Sequence, residues 1–233
     1  MFSPYHRFSN CTKLEKWILD NYENGQISEN VKLGYNRYHF SLLHKLKSAN
    51  YHLENLENVL IETDATEMLS NSEVFLQQIN MHLDGFFYCC GSALDILARE
   101  VLVYFNIPLP RLVYFKTAKE KIESVNPSDT ILNKLRDPTW KEDFSMYRNA
   151  LTHELLIAGN YNINVNIQGV DQLMTVVFSL PDDPRVDIND RSFRKNPNGI
   201  EYCKITFQRI ISLINQIYGE IEQRAKSNGS LPI

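Results

Sequence analysis

Residues 38–63 read YHFSLLHKLKSANYHLENLENVLIET, and their spacing settles what kind of structure the chain builds. Phe40, Leu43, Leu46, Leu53, Leu56 and Leu60 recur at steps of three and four, Ala49 fills the gap, and no glycine or proline interrupts them. An α-helix turns about 100° per residue, so these steps line one side of a cylinder. The stretch predicts a long amphipathic helix from about Tyr38 to Thr63.

Downstream, Ser70 and Glu73 have capping-box spacing, which predicts a second helix from there to about Asn106, before the break at Pro108 and Pro110. Its middle, FFYCCGSALDILA at residues 86–98, is apolar on nearly every side and belongs at the centre of the fold. Asp84, Tyr88, Asp95 and Arg99 share one narrow stripe of that helix. Either the stripe is exposed and contains an Asp95–Arg99 pair, or Asp84 or Asp95 faces a polar site.

Residues 117–136 predict one or two short helices, opened by a Thr117–Glu120 capping box and interrupted at Pro127. In the next helix Asp137 suits the N-cap, Pro138 the first turn and Gly159 the stop, with Trp140, Phe144, Tyr147, Leu151, Leu155 and Ala158 as its core stripe. The period then drops to two. In NYNINVNIQ, Ile163, Val165 and Ile167 alternate with asparagines, and LMTVVFSL follows a turn containing Gly169, which predicts a β-hairpin over about 161–180. A polar loop leads to a last helix with Ile200, Cys203, Phe207, Ile210, Ile214, Ile217 and Ile221 at helical spacing.

These elements predict a mainly all-α fold: an up-and-down four-helix bundle over residues 36–228 with a β-hairpin inserted before the last helix. Residues 1–35 read as an N-terminal extension with a short helix around Thr12–Asn21, and 229–233 as a flexible tail.

Composition narrows the function. Of 233 residues, 43% are hydrophobic and 22% charged, as in an ordinary globular chain. A net charge of −4 gives no general attraction to nucleic-acid backbones, so any such binding needs a local patch. Lys116, Lys119 and Lys121 form one basic cluster, and Arg185, Arg191, Arg194 and Lys195 another; each reads as a solvated charged face. Four cysteines, at 11, 89, 90 and 203, lack disulfide or zinc spacing, with Cys89 and Cys90 read as small core residues. With no apolar leader and no membrane-length apolar run, the expectation is a cytoplasmic protein with no membrane span.

The residues that carry chemistry lie in MYRNALTHE, residues 146–154. Asn149 and His153 are one turn apart on one side of the helix, and Arg148, about 140° from His153, needs its long side chain to reach the same locus. Met146, Ala150, Leu156 and Ile157 give that side a second apolar surface, which predicts a covering helix or a second subunit. A histidine that titrates near neutrality, a permanently charged arginine and an orienting asparagine suit attack by an RNA 2′-hydroxyl on its phosphodiester. His153 would act as general base or acid, and Arg148 would stabilise the phosphorane. That route needs no metal, and no cofactor is expected. Arg37 and His44 have a loosely similar spacing but read as the solvent-facing start of the first helix. His6, His39, His44, His52 and His82 read as surface or packing residues.

Arg148, Asn149 and His153, as Arg-Asn-x-x-x-His in a late helix of a helical bundle, resemble the HEPN superfamily. The resemblance implies a homodimer with two facing copies of the motif. In active members it implies metal-independent endoribonuclease activity in toxin–antitoxin, antiphage or RNA-processing systems, here with RNA as substrate and an antitoxin as a possible partner. It also implies a further polar residue from an earlier helix, for which Asp84 and Asp95 are the candidates. Many HEPN-like domains are noncatalytic, so the alternative is a module that binds RNA or a nucleotide, or only dimerises.

Overall fold

The computed structural model describes residues 19–20, 22–25, 29–62, 70–105, 107–136, 139–153, 160–168 and 171–228. It is mainly helical. In chain order the elements are α1 (Glu29–Glu62), α2 (Ser72–Tyr104), α3 (Phe115–Val125), α4 (Thr130–Arg136), α5 (Lys141–His153), β1 (Asn160–Gln168), β2 (Asp171–Ser179) and α6 (Gly199–Asn228). A single 3-10 turn at Ile188–Asp190 lies in the loop before α6. No helix among the described residues is long and apolar enough to cross a membrane.

The chain divides into two compact units, the first formed by Met1–Lys47, Ser92–Thr139 and Gln208–Ile233, the second by Ser48–Gly91 and Trp140–Phe207. Three of the four divisions fall inside α1, α2 and α6, and the fourth falls in the turn before α5. The expected boundary at residue 35 also falls inside a helix, because α1 begins at Glu29 rather than near Tyr38. Apart from Leu19 and Asp20, the helix expected at Thr12–Asn21 lies outside the described residues, as does the tail.

Along α1 the buried residues are His39, Leu42, Leu46, Ala49, Leu53 and Leu56, at steps of three and four. This corrects the expected stripe: Phe40 is 56% exposed, and Leu43 and Leu60 are half-buried. A helix accepts either set of positions. What decides is the partner surface, which takes His39 and Leu42 and leaves Phe40 in water.

In the first unit, α2 contributes a continuous apolar surface including Ala93, Leu97, Val101 and Leu102, all fully buried. The amphipathic α3 buries Phe115, Ala118 and Ile122, and α4 buries Ile131, Leu132 and Leu135. The proposed Thr117–Glu120 capping box does not open α3. Its N-cap residue is Tyr114, which supplies no side-chain bond; instead Asp95, twenty residues earlier on α2, accepts a hydrogen bond from the Phe115 N–H at 3.2 Å. Asp129 opens α4 more locally, its Oδ1 accepting from the Ile131 N–H at 2.8 Å. The same carboxylate holds the guanidinium of Arg224 on α6 through two bonds of 2.7 and 2.8 Å.

In the second unit an aromatic cluster joins α2, α5 and α6. Phe87 stacks on Phe144 at 5.7 Å and on Tyr202 at 6.3 Å, and Tyr147 meets Tyr202 edge-on at 5.2 Å. Each such pair adds about 0.5–1.5 kcal/mol beyond its burial. Strands β1 and β2 pair antiparallel from Asn160↔Ser179 to Gln168↔Asp171, so only residues 169 and 170 separate them. The side chains at 160–176 lie outside the described residues, so the expected apolar face of Ile163, Val165 and Ile167 does too. After β2, a loop closes on Asp182, which accepts from the Ser192 hydroxyl and the backbone N–H groups of Arg194 and Lys195 at 2.7–2.8 Å. Asn198 then caps α6, its Oδ1 accepting from the Glu201 N–H at 3.0 Å. Beyond the half-buried Ile200, the expected α6 stripe from Cys203 to Ile221 is buried at every position.

Candidate functional site on helix α5

Helix α5 starts at Lys141, after a turn through Thr139 and Trp140. The expected N-cap pair Asp137 and Pro138, the expected stop at Gly159, and Leu155, Leu156, Ile157 and Ala158 lie outside the described residues. The described part buries Phe144, Tyr147 and Ala150, while Trp140, Met146 and Leu151 are half-buried. Ala150 was expected on a second apolar surface; it belongs instead with the core of this unit, three residues on from Tyr147.

Tyr147 fixes the rotation of α5. Its fully buried hydroxyl donates to the Pro181 carbonyl at 2.6 Å and accepts from the Asn196 side-chain amide at 2.8 Å. Burial is the main reason its pKa is pushed up to about 12, against the smaller lowering effect of the Asn196 bond. The phenol therefore remains a neutral donor, pinning α5 to the loop around residues 181–196.

The next residue, Arg148, is placed by an absence. A Cβ added at the buried Gly91 of α2 would lie 2.3 Å from Arg148 Nε, 2.6 Å from Cδ and 2.9 Å from Cζ. The aliphatic end and guanidinium of Arg148 thus lie directly against bare helix backbone. Such an approach is open only to glycine. The side chain is half-buried, a position that restrains its charge without removing it from water. Asn149 is exposed on α5, and His153 is the last described residue of the helix, its side chain outside the described set.

The two candidate carboxylates separate. Asp84 lies in the same unit as the motif, on α2, two turns before Gly91 and on the same side of the helix, about 10 Å along the axis. It is exposed, yet partial burial raises its pKa. Asp95 belongs to the other unit, where its carboxylate holds the start of α3.

Three residues of the basic clusters meet neighbours of their own. Arg185 grips Asp183 through two bonds of 2.8 and 2.6 Å, which hold the Asp183 carboxyl at about 2. Arg191 donates to the carbonyls of Val186 and Pro184, and Lys116 lies 3.8 Å from Glu120. Cys89, Cys90 and Cys203 are buried thiols outside any disulfide, with those of Cys90 and Cys203 pushed up by burial, which suits packing and opposes nucleophilic chemistry.

Two histidine arrangements escape the sequence. His39 is fully buried with its Nδ1 3.1 Å from the Tyr218 hydroxyl, which in turn donates to Glu100. His52 and His82, from α1 and α2, bring their Nδ1 atoms to 3.3 Å. The signal for His39 was present, since it lies three residues before Leu42 and extends the buried stripe. The His52–His82 pair spans thirty residues and left none.

Comparison with protein-family models, curated proteins and solved structures finds no match to the chain.

Proposed function

We propose that the protein is a HEPN-type metal-independent endoribonuclease acting as a homodimer, with Arg148, Asn149 and His153 as its reaction centre. The observation that carries this reading is the seat of Arg148 on Gly91. An arginine that only solubilised a helix would gain little from a glycine kept beneath it, whereas one that must meet a phosphoryl group gains from being held before substrate arrives.

In the proposed reaction the His153 imidazole takes the proton of an RNA 2′-hydroxyl, whose oxygen attacks the adjacent phosphorus. Arg148 stabilises the charge that builds on the phosphorane oxygens, and Asn149 orients the imidazole or the phosphate. The bond to the 5′-oxygen breaks, that oxygen leaves with a proton from an imidazolium, and the products are a 2′,3′-cyclic phosphate and a 5′-hydroxyl. A role in toxin–antitoxin or antiphage defence, with an antitoxin as partner, belongs to the same proposal.

A second reading, a noncatalytic RNA- or nucleotide-binding or dimerisation module, is favoured by one observation. Arg185 and Arg191 of the 181–196 loop are engaged with their own neighbours, in a chain of net charge −4. The test is cleavage of a mixed-sequence RNA in excess EDTA by wild type and His153→Ala, with the product ends analysed. Cyclic phosphate ends, lost in the variant, are expected. A folded, dimeric wild type that cuts nothing overturns the enzyme reading in favour of the module.

A further inference from the structure

His52 and His82 approach each other by a route that the proposed nuclease chemistry does not use. The ring of His52 lies over Gly85 of α2, where an added Cβ would meet its Cε1 at 2.3 Å, Nε2 at 2.4 Å and Nδ1 at 2.5 Å. As at Arg148, a side chain rests on bare helix backbone. Gly85 follows His82 by three residues, so the glycine that admits one ring lies on the same side of α2 as the other. The rings are tilted by 56° with centroids 5.5 Å apart, which is not a stack, and the two Nδ1 atoms are 3.3 Å apart.

That separation fits two chemistries. One is a proton shared as N–H···N, long for such a bond. The other is a bound ion: two imidazole nitrogens at about 2.0–2.1 Å from a tetrahedral zinc are about 3.3–3.4 Å apart. Metal binding also requires unprotonated rings. His82 is buried while His52 is half-buried, which leaves one side of the pair open to water.

We propose that Nδ1 of His52 and Nδ1 of His82 form a two-histidine site for a divalent transition-metal ion, of the zinc or copper class, with Gly85 clearing the space for the His52 ring. On binding, the ring that donates its Nδ1 proton shifts that proton to Nε2, so that both Nδ1 lone pairs face the ion. Among the described residues no group of three or more His, Cys, Asp and Glu comes together. Water or an exogenous ligand fills the remaining positions, as at open rather than closed zinc sites. The site ties α1 to α2 within the second unit. It takes no part in the proposed RNA cleavage, so either proposal can fail without the other.

The experiment is titration of the full chain, stripped of metal, with Zn²⁺ by calorimetry and with Cu²⁺ by electron paramagnetic resonance. Wild type, His52→Gln, His82→Gln and Gly85→Ala are compared, with helix content checked by circular dichroism. One ion per chain is expected, with copper showing two nitrogen ligands. Either glutamine variant should bind at least about 100-fold more weakly, because loss of even an outer partner of a metal-bound histidine costs about 10–100-fold. Gly85→Ala, which keeps both histidines, should weaken binding as well. A wild type that binds no tighter than His52→Gln and His82→Gln, or a copper signal with other than two nitrogens, overturns the site and leaves the pair as a shared-proton contact.

Discussion

Gly91→Ala tests whether the position of Arg148 matters to function. The added methyl would lie 2.3 Å from Nε, about 1.1 Å inside the 3.4 Å of ordinary contact, so the Arg148 side chain must move by at least that much. Two effects on stability oppose each other. Alanine gains about 1 kcal/mol over glycine inside a helix, whereas crowding a packed site costs about 1–3 kcal/mol. Because Arg148 is half-buried and can swing outward, the crowding falls at the low end, and the net change should stay within about 1 kcal/mol. Activity should respond far more. A 1 Å misplacement costs about 100-fold, and loss of one preorganised charge-stabilising donor about 10²–10³-fold. The expected result is a variant with near wild-type melting behaviour and an RNA cleavage rate down by about 100-fold, close to that of Arg148→Ala. The assay is single-turnover cleavage beside a thermal melt. A folded Gly91→Ala enzyme with full activity, alongside an inactive Arg148→Ala, would refute the idea that Arg148 works from its seat on α2.

Arg224→Ala should destabilise the protein by about 3 kcal/mol in urea unfolding, because it strands the buried Asp129 carboxylate without its paired guanidinium; an unchanged midpoint would show that water already satisfies that group. Tyr147→Phe removes the donor to the Pro181 carbonyl and the acceptor for Asn196, and should cost about 1–3 kcal/mol by the same measurement, a loss that an unshifted curve would exclude. The His52–His82 pair predicts a pH dependence. Its folded pKa values lie below the unfolded value, so the unfolded chain takes up protons first as pH falls. Stability should therefore be complete above about pH 6.5 and decline below it toward the folded values. Thermal melts of metal-free protein from pH 8 to pH 5 should show that decline flattened in His82→Gln, and equal slopes in both proteins would remove the pair as its source.

How much was legible in the sequence depended on whether the deciding partner was near in the chain. The stripe of α6 could be read almost residue for residue, since most of its isoleucines share one broad face, with Ile205 left 38% exposed. On α1 the same reasoning erred at Leu60 and, most of all, at the N-terminal end, where a polar His39 enters the core through Tyr218 and Glu100 while apolar Phe40 remains outside. Helix periodicity fixes the spacing of a stripe but not its rotation when both candidate faces carry suitable residues. The start of α3 was misplaced because its capping carboxylate comes from Asp95 on α2 rather than from the local Thr117. At the candidate site, the wheel put Arg148, Asn149 and His153 on one helix and could do no more. That Arg148 lies on Gly91 and His52 on Gly85 depends on contacts between helices, and no spacing within one helix encodes them.

The junction between the 181–198 loop and α6 carries one further consequence. Asn198 followed by Gly199 is the dipeptide most prone to deamidation, because the unhindered glycine nitrogen can close on the asparagine side chain to form a succinimide. A bulkier residue would slow that chemistry, yet a Cβ at position 199 would come within 2.1 Å of the buried Phe178 ring, so the glycine cannot be exchanged for protection. Protection comes from the fold. Capping engages the Asn198 carboxamide with the Glu201 N–H, and the first turn of α6 holds the Gly199 nitrogen in helical geometry, away from the attacking position. Damage at this bond should accumulate only in chains whose α6 has frayed or melted. The ratio of intact to deamidated peptide would then act as a chemical clock for time spent unfolded, readable by mass spectrometry on aged protein. Repair is unequal as well: an aspartate product still caps the helix, whereas the isoaspartate product displaces the backbone and should prevent α6 from starting at Gly199 again.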